Sequence, residues 1–156
     1  MAFAVSELAP KLTPEQAADK LIPMVSILLK NNTTEVMVSL IDNMEALASV
    51  LEQSPIEEKL IPILTNLSAD KTWRVRLAVC QFIPKLAKQV SPEIFKNKLE
   101  SILINMMSDS VFTIREEAVE SMITLSKSIF DESWLADAIV QKLDEFSKHE
   151  RFMIRI

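Results

Sequence analysis

The feature that most narrows the fold of this chain is a period. Shifted by 39 residues, the sequence lays Asp109 over Asp70, Ile114 over Val75 and Arg115 over Arg76. The same shift lays Leu125 over Leu86, Leu86 over Leu47 and Leu47 over Leu8. Self-similarity of this length marks stacked architectures. In them one small supersecondary unit cannot bury its own apolar face and relies on its neighbours to cover it.

Each repeat holds two helical patterns. The first carries Leu21, Met24, Val25 and Leu28, then Leu60, Ile63, Leu64 and Leu67, then Leu99, Ile102, Leu103 and Met106. The second carries Leu40, Met44, Leu47 and Leu51, then Val79, Ile83, Leu86 and Val90, then Ala118, Met122, Leu125 and Ile129. Spacings near i, i+4, i+7 and i+11 give each helix one face to bury. Val5, Leu8 and Leu12 show the same face before the first complete copy. The chain has no glycine. That removes tight strand turns and phosphate-cradling loops, which need its positive φ and close backbone approach.

Local signals mark the joints. Thr13-Pro14-Glu15-Gln16 reads as a capping box with proline at the first helical position. Ser54-Pro55-Ile56-Glu57 reads as the same device, and Ser91-Pro92-Glu93 as its first half; Asp131-Glu132-Ser133 takes its place before the last copy. The expected layout is one array over residues 1–156. It holds the second helix of a partial repeat (1–12), complete pairs at 14–51, 55–90 and 92–130, and a partial repeat at 133–156. Tetratricopeptide and ankyrin units run to about 34 and 33 residues, whereas HEAT and armadillo units run to about 40–47. The expected fold is therefore an all-α, armadillo-like solenoid of HEAT type, built from stacked antiparallel helix pairs.

Several functions are disfavoured by composition. A net charge of −5 argues against binding nucleic acid, where clustered Lys and Arg must neutralise phosphates. A single cysteine, Cys80, cannot form an internal disulfide. The N-terminus lacks the basic region of a signal peptide, and the longest apolar run, near Leu21 to Leu29, is too short to span a bilayer. A soluble chain, cytoplasmic or also nuclear, is expected. No catalytic, cofactor or metal site is expected either. The Cys80 slot is apolar in the other copies (Ile41, Val119), and His149 has no second ligand cluster. Glu57-Glu58 and Glu116-Glu117 are adjacent pairs that diverge around a helix. The methionines Met24, Met44, Met106 and Met122 fall in core slots.

Leu60-Ile61-Pro62, Asp70 and Trp73-Arg74-Val75-Arg76 resemble HEAT repeats of the scaffolding (A) subunits of protein phosphatase 2A. Phe82-Ile83-Pro84-Lys85-Leu86-Ala87 and the run from Asp109 to Ala118 are similar to consecutive repeats of that family's C-terminal third. The likeness covers nearly the whole chain. It implies a non-catalytic horseshoe whose ridge of intra-repeat loops holds the phosphatase catalytic subunit, regulatory B-type subunits being held elsewhere on a longer chain. By matching positions it implies partner contacts at Trp73 and Arg74, at Val111 and Phe112, and at Arg151 and Phe152. Lys30 to Thr34 form the corresponding first loop, without an aromatic.

Spacing alone leaves two roles open for Trp73 and Phe112: packing over a helix end, or projecting as anchors of the kind that dominate interfaces. The resemblance favours projection for Trp73 and Arg74. Asp70 with Arg76, and Asp109 with Arg115, read as a structural ladder tying neighbouring loops together. In the first repeat the same slots hold Asn31 and Met37; in the last unit the register slips by one, so that Arg155 rather than Ile154 matches Arg115, and the Asp slot holds His149. The alternative function is a HEAT adaptor for another assembly, such as a transport or translation-factor scaffold. Uncovered apolar faces at both ends lead us to expect self-association, or marginal stability, unless the native protein holds more chain.

Overall fold

The structure is a computed structural model and describes residues 2–31, 33–130, 134, 136 and 138–140. All regular elements among the described residues are helical. Helix α1 (Ala2–Leu8) runs into a 3-10 turn at Ala9–Lys11. Three antiparallel pairs follow: α2 (residues 14–31) with α3 (34–48), α4 (53–68) with α5 (Trp73–Ala87), and α6 (92–106) with α7 (Phe112–Ser128). The first helices of the pairs form one layer and the second helices the other. Packing is tightest in the second layer, where α5 lies against both α3 and α7, and α1 against α3. No described helix is long and apolar enough to cross a membrane.

Every first helix contains a π-helical turn, at Ala17–Leu21, Ile56–Leu60 and Phe95–Leu99. Each begins 39 residues after the last. In each, an amide bonds five residues back: Ile22 to Ala17, Ile61 to Ile56 and Glu100 to Phe95. Pro23 and Pro62 follow the first two turns, where a widened turn accommodates a residue that cannot donate. Ser101 holds that slot in the third copy, so proline fits the π turn without causing it.

The period also sets where these helices start. The residues preceding them are Thr13, Glu52 and Ser91. Thr13 and Gln16 form the reciprocal capping box, with amide-to-side-chain distances of 3.3 and 3.2 Å, and Ser91 accepts from the Ile94 amide at 3.3 Å. Ser54 is not a cap. Helix α4 begins two residues before Pro55, in step with the period, and the Ser54 hydroxyl instead donates to Glu58.

One apolar core runs through the stack. The second-helix slots are buried at Leu40, Met44, Leu47 and Leu51 and at Val79, Ile83, Leu86 and Val90. In the third pair Ala118, Met122 and Leu125 are buried and Ile129 is half-buried. Three apolar residues depart from expectation, each at an end. Met24 is 38% exposed: the slot's later occupants, Ile63 and Ile102, face the preceding first helix, and no described first helix precedes α2. Leu8 is 43% exposed, while its counterparts Leu47, Leu86 and Leu125 are fully buried. Val119 is exposed although Ile41 and Cys80 are buried, since those two are covered by the next second helix. By the period, the helix that would follow α7 in that layer starts near residue 151, outside the described residues. At the other end of the third pair, Phe130 stacks on Trp134 at 4.4 Å between ring centroids, and both rings touch Phe95.

Candidate partner-binding ridge

The two turns inside the second and third pairs are built alike. Asp70 accepts the Thr72 amide at 2.7 Å and Asp109 accepts the Val111 amide at 2.8 Å. In both, a carboxylate oxygen stands in for a backbone acceptor two residues on and tightens the turn. Thr72 and Val111 are extended (φ −89° and −95°, ψ 114° and 122°), and helices α5 and α7 begin at the next residue. No described residue has positive φ. The aspartates thus close these turns in a chain without glycine.

Arg76 lies one turn into α5 and locks the arrangement. Its Nη1 donates to the Asp70 carbonyl at 2.8 Å, within its own turn. Its Nε and Nη2 donate to the two Asp109 oxygens at 2.7 and 2.8 Å, across to the next turn. The ion pair is therefore bidentate, and the two side chains keep only 12% and 10% of their accessible surface. Burial alone would push the Asp109 pKa up. Hydrogen bonds from Arg76 and the Val111 amide, with the Arg76 charge, outweigh that and hold it below the usual carboxylate value. The Arg76 pKa is raised, chiefly by its bond to Asp109, against the opposing effect of burial.

Sequence spacing groups Asp70 with Arg76 and Asp109 with Arg115 as a ladder between neighbouring loops. The charge-charge contact runs from one repeat's arginine, Arg76, to the next repeat's aspartate, Asp109, 33 positions on. Within a repeat the arginine grips the aspartate's carbonyl, as Arg115 does with Asp109 at 2.8 Å. This geometry accounts for the state of the other rungs. The cation that would reach Asp70 is replaced by Met37, and the slot facing Arg115 maps to His149, outside the described residues. The signal that could have found the crossing was the 33-residue spacing.

The rigid turns carry an aromatic each. Trp73 is 39% exposed and Phe112 is 59% exposed, both on the first turn of a second helix. Arg74 is exposed, with its guanidinium 5.0 Å from the Trp73 ring centroid. Arg115 lies 5.6 Å from the Phe112 ring. Each pair therefore has cation–π geometry, in which an aromatic face holds a cation without neutralising it. Val111 is half-buried and packs on the core, so it supports the turn more than it projects. Arg151 and Phe152 lie outside the described residues. Val75 and Ile114 point into the core.

Cys80 is buried, and burial, followed by the Glu117 charge, pushes its thiol pKa up to about 12, so it is not a thiolate at neutral pH. Among the described residues no group of His, Cys, Asp or Glu could hold a metal ion.

A family model described as "PIK3R4-like, middle domain" matches residues 7–156. The chain belongs to the PIK3R4-like middle-domain family. No curated protein matches the sequence. Among solved structures, this family member is similar to a designed armadillo repeat protein in complex with the peptide (KR)4. The TM-score is 0.58 at 18% identity, covering 99% of this chain and 69% of that one. A second engineered protein matches with a TM-score of 0.56 and 13% identity, over 99% of this chain and 67% of the other. These likenesses establish the fold: an all-α solenoid of armadillo type.

Proposed function

We propose that this member of the PIK3R4-like middle-domain family is a non-catalytic scaffold segment that holds the catalytic subunit of a protein phosphatase 2A-type complex. In this reading the contacts are made along the ridge of turns inside its repeats. The observation that carries it is the repetition of one device. Trp73 and Phe112 stand exposed at equivalent positions, each with a guanidinium beside its ring, the exposed Arg74 in one case and the half-buried Arg115 in the other, on turns locked together by Arg76 and Asp109. Aromatic and arginine side chains on a rigid base lose little conformational freedom on binding and dominate interface energetics. The resemblance of Trp73 to Arg76 and of Asp109 to Ala118 to phosphatase scaffolds names the partner, and further contacts along the array, Arg151 and Phe152 among them, would add by avidity. The PIK3R4-like description, a middle domain, accords with a helical segment that works as part of a larger assembly.

A second reading is an adaptor that takes an extended peptide on the other face. Ser6, Asp42, Asn43, Glu45, Ser49 and Gln89 line an open groove of about 400 Å³ across the second helices, and the designed armadillo neighbour carries a (KR)4 peptide. Capture experiments separate the two. The chain is immobilised and challenged with purified phosphatase catalytic subunit, using wild type and Trp73→Ala/Arg74→Ala. Our reading expects capture by wild type and at least about a tenfold loss in the double variant, as for two hot-spot residues, with the helical circular-dichroism signal retained. Undiminished capture removes the ridge from the account, and absence of capture by wild type removes the phosphatase.

A further inference from the structure

We infer that the segment docking on the ridge is acidic, with apolar side chains interleaved among its carboxylates. This rests on the ridge reading above and adds the chemistry of what the ridge recognises. The chain as a whole is acidic, with a net charge of −5. Residues 69–76 and 108–115 run against that trend, holding the cations Lys71, Arg74, Arg76 and Arg115 against the carboxylates Asp70 and Asp109. Asp109 is already engaged by Arg76 and the Val111 amide. Among the described residues no carboxylate pairs with Lys71, Arg74 or Arg115.

The state of Arg115 sharpens the point. It bonds the Asp109 carbonyl through Nη1, as Arg76 bonds the Asp70 carbonyl. In Arg76 the remaining Nε and Nη2 grip a carboxylate in fork geometry. In Arg115 the same two nitrogens meet no acceptor among the described residues, and the guanidinium rests by the exposed Phe112 ring. Arg74 repeats the combination beside Trp73. Among the described residues each station therefore offers a carboxylate-matching fork next to an apolar ring. A carboxylate beside an aliphatic or aromatic side chain satisfies both halves at once. A bare polyanion would leave the rings without apolar partners and would meet the chain's overall negative field.

The test uses the 156-residue chain and a short probe, followed by ¹⁵N NMR of the Trp73 indole and Arg74 Nε groups. The probe is the peptide Ac-ELEELE-NH2, with Ac-KLKKLK-NH2 as its charge twin. In a polyproline-type conformation the leucines share one face about 9 Å apart, matching neighbouring second helices at about 8–10 Å. The Trp134 indole, which is buried and bonded to Glu100, is the internal control. The acidic peptide is expected to move the Trp73 and Arg74 signals and leave Trp134 in place, and the lysine twin to move none. Arg74→Glu is expected to weaken the acidic peptide by about fivefold, the upper end for an exposed ion pair. Equal shifts with the lysine twin would overturn the proposal. So would stronger ridge shifts with a uridine decamer, acidic-peptide shifts confined to other surfaces, or no ridge shift at millimolar peptide. Capture of the catalytic subunit is scored separately. Peptide selectivity without capture sinks only the phosphatase reading, and capture without peptide selectivity sinks only this one.

Discussion

Replacing Arg76 by methionine tests the part of the ridge on which the rest depends. Methionine keeps most of the side-chain volume and removes the charge. Asp109 would then sit nine-tenths buried with the Val111 amide and the Ser110 hydroxyl as its remaining partners. Breaking one side of a buried ion pair costs about 3–5 kcal/mol, because the surviving charge keeps its desolvation penalty. Residual exposure of both side chains places this case at the lower end, about 3 kcal/mol. With unfolding entropy near 2.1 cal/mol/K per residue, that lowers the Tm of a 156-residue array by roughly 9 °C. Urea unfolding followed by circular dichroism measures the loss. Asp109→Asn, which keeps an acceptor for the Val111 amide, and the double variant complete a cycle with an expected coupling of about 2 kcal/mol. Additivity of the two changes within about 0.5 kcal/mol would refute the idea that this pair ties one repeat to the next.

The remaining predictions come from the same geometry. The folded Asp109 carboxyl titrates below its unfolded value of about 3.9, so the unfolded chain takes up the proton first as pH falls. Its stabilisation is present above that value and lost as pH drops through the folded one; acid titrations of wild type and Asp109→Asn should converge there, and parallel curves would contradict the assignment. Cys80 should resist Ellman's reagent at pH 8 in the folded chain and react fully in urea, since its thiol is buried with a pKa pushed up to about 12; rapid native labelling would count against the packing. Leu47→Ala should cost about 3 kcal/mol, as for a fully buried leucine, while Leu8→Ala, at the same slot of the period but 43% exposed, should cost under about 1 kcal/mol. Equal losses in urea melts would mean that the end of the stack is closed.

The period carried most of what was legible in the sequence. It located the core slots of α3, α5 and α7, because helices that stack on identical neighbours repeat the same burial at the same offset. It outranked a local signal at Ser54-Pro55, where the cap fell on Glu52 in step with Thr13 and Ser91. It failed at Met24, Leu8 and Val119, where the residue repeats but the neighbour that covers it does not. The π turns left no readable trace, since their effect is a backbone register and the proline that suits them is missing from the third copy. For the ridge, spacing identified Asp70, Arg76, Asp109 and Arg115 as a ladder between neighbouring loops but did not show which arginine meets which aspartate. The reach of an arginine across a layer of helices is a three-dimensional distance that one-dimensional spacing under-reports. Val111, placed among the contact residues by resemblance, packs inward as part of its turn, while exposure singles out Trp73, Arg74 and Phe112.

The central claim is that a partner is held by the turns within repeats and not by the face of the second helices. Hydrogen–deuterium exchange of the chain, alone and with the phosphatase catalytic subunit, measures that directly. The account predicts new protection at residues 69–76 and 108–116, with the groove around Asp42, Glu45 and Ser49 unchanged. Protection confined to that groove, with the two turns exchanging as in the free chain, would contradict it.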